Sequence, residues 1–384
     1  MRVLYVQYTN PAGYPPLQHS SRILANNGWE ILFLGTGAHG ADKLEFPQHP
    51  RIRVKQLPFC PAGWRQKLHY ATFTLWVLFW TLRWRPRWIY SSDPLSCPVT
   101  ALLSFVPGVH TIYHEHDSPD AGAESACSSF RQCIVKMRSI LAKYADVCIL
   151  PNEHRVARFR KDTATRRPVR QVWNCPALEE VKNTDQQDSG NFTVFYHGNI
   201  APSLLPVTVL ESLTRVPDEV ILRVAGYVTV GNRGYLEWLE KQAARLGLAG
   251  RFKYLGVFPR YALLDHCRNG SVGIALMRID SNNFNEQAMV GASNKPFDYL
   301  ACGLALLVSD LPDWRKTFVE PGYGRACDPN DAESIARQLL WFVEHPEETH
   351  SMGIKGRQRI LSEWNYERQF SPVLQAIGAM GVQD

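Results

Sequence analysis

Short apolar runs alternate with helix-sized segments along the whole chain, and this alternation restricts the fold more than any other feature. In the first half the runs are Val3–Gln7, Glu30–Leu34, Ile52–Leu57, Trp88–Tyr90, Val109–His114 and Val147–Pro151, with Ser20–Asn27 reading as one of the intervening helices. Strands spaced by helices predict a parallel sheet with helices on both faces. The chain then turns polar at Asp185–Gly190 (DQQDSG), and the pattern restarts with Phe192–His197, Glu219–Ala225, Phe252–Leu255, Val272–Met277, Ala305–Ser309 and Gly324–Ala326. Two Rossmann-like α/β domains follow, residues 1–185 and 186–366, and 384 residues suit two cores better than one.

Composition narrows the chemistry. At 45% hydrophobic and 20% charged residues the chain is neither disordered nor a coiled coil. Its nine cysteines are scattered, with none in a CxxC pair, so they read as reduced, buried thiols and not as a zinc site. The opening MRVLYVQYTN runs straight into a strand with no signal-peptide pattern, which predicts a cytoplasmic protein and gives the sequons at Asn191 and Asn269 little weight. A formal charge of +6 suits an anionic small molecule or an anionic lipid surface and is too diffuse for nucleic acid.

One segment, Tyr70–Leu82 (YATFTLWVLFWTL), is apolar over 13 residues between basic and tryptophan-rich flanks. That is shorter than the roughly 20 residues a bilayer span needs. It reads as a helix buried on the first sheet, whose ends could rest on an anionic membrane surface. The basic stretch from Arg155 to Arg170 reads as a solvated helix face, or otherwise as a patch for phospholipid or an anionic carrier.

The richest motif is Ser293–Asp310, SNKPFDYLACGLALLVSD. Ser293 and Asn294 can cap a helix over Lys295–Ala301, ended by Cys302 and Gly303 and followed at once by a buried strand. A helix N-terminus with a lysine beside it suits a diphosphate, and Asp298, one turn on, could accept hydrogen bonds from ribose hydroxyls. A second centre, Tyr113–Pro119 (YHEHDSP), lies at the carboxyl end of a strand, where α/β proteins bind ligands. Its His, Glu and Asp side chains alternate sides, so they do not suggest a metal.

These segments resemble the retaining glycosyltransferases of family 4, which have the GT-B fold. The resemblance rests on the SNKPFDYLACG run, with weaker support from YHEHD, WNCP at Trp173–Pro176, FYHGN at Phe195–Asn199, LRVAG, FKYLG, SVGIALM and Trp364–Tyr366 in order. It implies two Rossmann-like domains facing an interdomain cleft, with a C-terminal helix (367–384) returning to the N-terminal domain. It also implies transfer of a sugar from a nucleotide-diphosphate sugar, UDP or GDP favoured, without cofactor or metal.

By residue, the resemblance assigns His116 and Lys295 to catalysis. It assigns Gly198, Asn199, Gly226, Val257, Phe258, Asn294, Lys295 and Asp298 to the donor. Gly13 and Tyr14 fall in a loop over donor and acceptor, and Glu286 opens the loop that would face the sugar. The chain departs from the family in two places: Val290 stands where a second Glu is usual, and GNIAPSLLPVTVLES lacks a common Arg/Lys pair, which shifts the diphosphate contacts to Lys295 and Arg278. The acceptor implied is a lipid-linked or cell-surface glycan at the cytoplasmic membrane face. Alternatives are a small-metabolite acceptor, a catalytically silent nucleotide-sugar-binding protein, or a sugar-nucleotide epimerase of the same fold.

Overall fold

The structure, a computed structural model, describes residues 1–38, 44–119, 129–182 and 192–381. It divides into two units, Met1–Asn174 with Asn283–Ala292 and Tyr366–Asp384, and Cys175–Asn282 with Ser293–Asn365. The DQQDSG segment, the boundary expected at 185/186 and the sequon at Asn191 lie outside the described residues. Two corrections to the expected domains follow: the division falls after Asn174, and Asn283–Ala292 belongs with the first unit. The physical reason for the second is visible in its backbone, whose carbonyls are bonded by Asn152 and Arg155 of that unit.

In the first unit the strands are β1 (Arg2–Val6), β2 (Glu30–Thr36), β3 (Ile52–Leu57), β4 (Trp88–Ser92), β5 (His110–His114), β6 (Val147–Leu150) and β7 (Val169–Gln171). They pair in parallel in the order β3-β2-β1-β4-β5-β6-β7. The helices are α1 (Pro15–Asn26), α2 (Trp64–Trp84), α3 (Cys97–Leu103), α4 (Ser129–Tyr144) and α5 (Glu153–Thr163). β7 is absent from the expected strands because its three residues are half-buried or exposed and carry no apolar run.

Successive residues of a strand face opposite sides, and here both sides are covered. Val3 and Tyr5 of β1 pack with Ile31, Phe33 and Tyr90 on one face, while Leu4 and Val6 pack with Leu32, Leu34 and Ile89 on the other. The C-terminal helix Tyr366–Gly381 covers the first face with Tyr366, Phe370, Val373 and Ile377, spaced four, three and four residues apart. So the last helix packs into the core of the N-terminal unit, as expected. On the second face lies α2, with Phe73, Val77 and Trp84 inward. The expected buried helix at Tyr70–Leu82 is therefore corrected: it is the middle of a 21-residue helix of which one side only is in the core. No described helix is long and apolar enough to cross a membrane.

The second unit repeats the plan with β8 (Phe192–Asn199), β9 (Val220–Tyr227), β10 (Phe252–Gly256), β11 (Val272–Ala275), β12 (Ala305–Ser309) and β13 (Gly324–Cys327), parallel in the order β10-β9-β8-β11-β12-β13. Both units follow the doubly wound order of the Rossmann fold, which reverses between β1 and β4 and between β8 and β11. Ligands bind outside the carboxyl ends of the strands at such reversals. The eight described cysteines are free, six of them buried; Cys133 is exposed and Cys60 half-buried, against expectation, and Cys127 lies outside the described residues.

Candidate active site

In the second unit the residues expected to act together cluster at the end of β8. Gly198 pairs in register with Gly226 of β9, and a Cβ on Gly226 would stand 1.9 Å from the Gly198 carbonyl oxygen, so no side chain fits there. Both glycines have positive φ, 105° and 147°, which glycine alone adopts freely. The space beside Gly198 is taken by Lys295: a Cβ at 198 would meet Lys295 Cε at 3.3 Å and Nζ at 3.5 Å. Lys295 opens the helix Lys295–Ala301, whose bounds match the expected ones, and its ammonium also lies 5.6 Å from the Tyr196 ring centre.

Burial pulls the Lys295 ammonium down to about 8, with Asp298 pulling the other way. Asn199, next to Gly198, keeps its buried side-chain oxygen without a partner. Val257 and Phe258 follow β10 and are half-buried, with Phe258 against the His266 ring at 4.3 Å. Asn294 precedes the helix, but its side chain makes no capping bond, because its own backbone is helical and not extended as a cap requires. Arg278, an expected phosphate contact, is exposed and reaches Asp280 at 3.3 Å.

Asp298 departs furthest from expectation. Its carboxylate has no exposed surface and accepts two hydrogen bonds from Arg260, Nη2 at 2.7 Å and Nη1 at 3.1 Å. Arg260 in turn donates to Glu180 through Nε at 2.6 Å and Nη2 at 2.9 Å, while His197 Nε2 stands 3.4 Å from Asp298. Burial opposes the Arg260 charge, yet Asp298 and Glu180 together push its pKa well above the usual range. Burial, Lys295 and Arg260 hold His197 neutral, well below the ordinary histidine range. In this structure the carboxylate is held by Arg260 with His197 beside it, so the expected contact to ribose hydroxyls would have to be made alongside these bonds.

The first unit brings a second group together. His116 follows β5 and is buried, and its ring lies 5.2 Å from that of Tyr14 and 4.0 Å from that of His114. Burial and Arg155 lower its pKa to about 4 against the pull of Asp117, and the buried Nε2 finds no hydrogen-bond partner. A neutral imidazole with a free nitrogen suits a neutral hydroxyl ligand. The neighbouring Glu115 is structural: Arg138 donates to it at 2.7 Å and the Tyr113 hydroxyl at 2.6 Å, all three buried. Gly13 ends a short 3-10 turn before Tyr14. Glu286, half-buried, sits in the turn Phe284–Gln287, whose Asn285 exchanges two hydrogen bonds with Ser118, at 2.8 and 3.0 Å. Among the described residues no three His, Cys, Asp or Glu side chains are grouped to hold a metal.

Several residues here escape a reading of the sequence. Arg155, expected on a solvated face, is 1% exposed. It donates to the carbonyls of His116, Asn285 and Ala288 and to Asp117, tying the 283–292 segment to the histidine loop. Asn152 caps α5 through the Arg155 amide and bonds the carbonyls of Ala288 and Val290. At the β1/β4 reversal, both polar side-chain atoms of Gln7 and the Ser92 hydroxyl are buried without partners. Asp93 beside them has φ 64° and ψ 162°, a region that essentially only glycine occupies. Its carboxylate accepts the His116 amide at 3.0 Å, and burial, then the Asp117 charge, raise its pKa to about 8.

Comparison with known proteins gives this arrangement a family. A glycosyl transferase 4-like domain matches residues 17–175, and a glycosyl transferase-like family matches residues 208–375. Among solved structures the chain is similar to a sucrose-phosphate synthase from Thermosynechococcus elongatus, at 15% identity with all of both chains covered and a TM-score of 0.73. It is similar also to Anabaena HepE in complex with UDP and glucose, at 17% identity over 99% of this chain and all of that one, with a TM-score of 0.75. WaaG, a glycosyltransferase involved in lipopolysaccharide biosynthesis, aligns at 12% identity over 96% of this chain and 98% of its own, with a TM-score of 0.67. A search of curated protein sequences found no match.

Proposed function

For a chain that belongs to the GT-B glycosyltransferases, with a family-4-like N-terminal domain and a glycosyl-transferase-like C-terminal one, we propose a retaining transfer of a sugar from a nucleotide-diphosphate sugar to an acceptor hydroxyl. The observation that carries this reading is the placement of Lys295: its ammonium stands over the Gly198 backbone at the β8/β11 reversal. In the proposed reaction the bond from the anomeric carbon to the diphosphate oxygen breaks and the acceptor oxygen bonds to the same face. The acceptor proton leaves with the diphosphate. Negative charge grows on the departing oxygen, where a fixed, partly desolvated ammonium stabilises it most. Gly198, Asn199, Gly226, Val257, Phe258 and Asn294 shape the donor's bed, and Asp298 acts through Arg260 and His197.

In the first unit His116 would offer Nε2 to a neutral hydroxyl of a substrate, with Tyr14 beside it and Gly13 and Glu286 on loops of the same unit. Gln7, Ser92 and Asp93 add unpaired or strained polar groups at the carboxyl ends of the central strands β1 and β4. No metal or cofactor is needed for this chemistry. HepE was crystallised with UDP and glucose, so uridine donors come first for testing, guanosine donors next. The proposed acceptor is a lipid-linked or cell-surface glycan at the cytoplasmic face of the membrane.

A second reading, a donor-binding protein without turnover, draws on Val290 and on the sequestered Asp298 carboxylate. Incubation with UDP- and GDP-sugars, with and without lipid-linked acceptors, separates the two. The transferase releases nucleotide diphosphate and makes a product of unchanged anomeric configuration. Inversion would sink the retaining mechanism, and binding without release would favour the silent protein.

A further inference from the structure

Between Phe46 and Ser92 the chain carries eight lysines and arginines and no aspartate or glutamate. This stretch includes β3 and α2, both of the first unit. Along α2 the residues Trp64, Leu68, Leu75, Phe79 and Leu82 are each between 56% and 78% exposed. At about 100° per residue they fall in one stripe about 60° wide, opposite the inward Phe73, Val77 and Trp84. The stripe runs for roughly 27 Å at about 1.5 Å per residue. A soluble surface helix normally turns polar residues outward; this one turns large apolar groups outward, exposed among the described residues.

The ring around the stripe decides what covers it. Arg65 and Arg83 flank one side, Lys67 the other, and Arg85 and Arg87 follow the helix end. Cations around an apolar stripe with tryptophan at its start match an interface of anionic headgroups over acyl chains. The stripe itself lacks the polar groups with which a folded partner would exchange hydrogen bonds.

We infer that the outer face of α2 docks the first unit on an anionic lipid bilayer, lying in the interface with Leu68, Leu75, Phe79 and Leu82 among the acyl chains and the basic residues among headgroups. The inference goes beyond the glycosyl-transfer reading and stands on different residues. It supplies what that reading leaves open, the means by which a lipid-borne acceptor is met.

Vesicle co-sedimentation tests it, using phosphatidylcholine alone against phosphatidylcholine with one quarter phosphatidylglycerol. Wild type should sediment with the mixed vesicles and much less with the neutral ones, and salt should weaken the binding. At about 1 kcal/mol per basic residue near the surface, each removed charge costs about fivefold, so Arg65→Gln/Lys67→Gln/Arg83→Gln should weaken binding on the order of 100-fold. Leu75→Asn/Phe79→Asn should weaken it at least tenfold at unchanged charge. These are solvent-facing positions, and an unchanged thermal transition and response to UDP would show the variants folded. Equal binding to both vesicle types, or none to either, overturns the inference. So does a concentration-dependent dimer that Leu75→Asn/Phe79→Asn dissolves, since a second copy would then be the occupant. Loss of the UDP response in wild type with vesicle binding intact would instead remove the glycosyl-transfer reading alone.

Discussion

Asp93 is the residue whose backbone is hardest to explain without a task. A non-glycine residue at φ 64° and ψ 162° costs about 1–3 kcal/mol, and Asp93→Gly relieves that cost while deleting the carboxylate that holds the His116 amide. The expected outcome is a variant within about 1 kcal/mol of wild type in chemical unfolding, because strain relief offsets a lost hydrogen bond, yet at least tenfold slower in transfer. A variant of full activity would make Asp93 a tolerated accident. Lys295 gives a pH signature of opposite signs for stability and ligand. Its ammonium titrates near 8 folded and near 10.4 unfolded, so between those values the unfolded chain holds more protons and stability rises with pH. Diphosphate binding needs the ammonium and should weaken above pH 8 by up to about tenfold per pH unit. Lys295→Arg, which stays charged, should flatten the affinity profile measured by calorimetry from pH 7 to 9.5. Neither residue is equally legible in the sequence: Lys295 opens a recognisable motif, whereas Asp93 sits in SSDP, which reads as an ordinary turn.

At the scale of elements, the helix Lys295–Ala301 was predictable because its signals are local: a lysine after two polar residues, an apolar run and a glycine stop. Its partners were not. Arg260 reaches Asp298 from a helix 38 residues earlier, and Glu180 reaches Arg260 across 80 residues, so their pairing depends on how strands order in a sheet. Arg155 shows the same limit, since a cationic helix turn looks alike whether it faces water or clamps a loop. Breaking one arm of a buried ion pair leaves the other charge uncompensated. Arg260→Met should therefore destabilise the protein by about 3–5 kcal/mol in urea unfolding, and Glu180→Gln, at the less buried end, by clearly less. Equal small losses for both would mean that the network is not the anchor described here.

Over the whole molecule the alternation of short apolar runs with helix-sized segments marked both sheets, since strands covered on both faces are apolar along their length, whereas the strand order left no mark and the return of the last helix came from the family resemblance. The sequence misplaced the 283–292 segment, whose allegiance to the first unit is set by side-chain bonds to its carbonyls and leaves no mark on its own composition. The central claim remains that the β8 loop and Lys295 form a metal-independent site for a nucleoside diphosphate. The most direct test is the thermal shift of purified protein with UDP, GDP, ADP and TDP, with and without EDTA, on wild type and Lys295→Met. A ligand at 100 times its dissociation constant adds about 2.7 kcal/mol, well within reach of the method. The account predicts that one diphosphate, UDP first, raises the transition of wild type equally with EDTA and much less that of Lys295→Met. No shift with any diphosphate, or the same shift in both proteins, would contradict it.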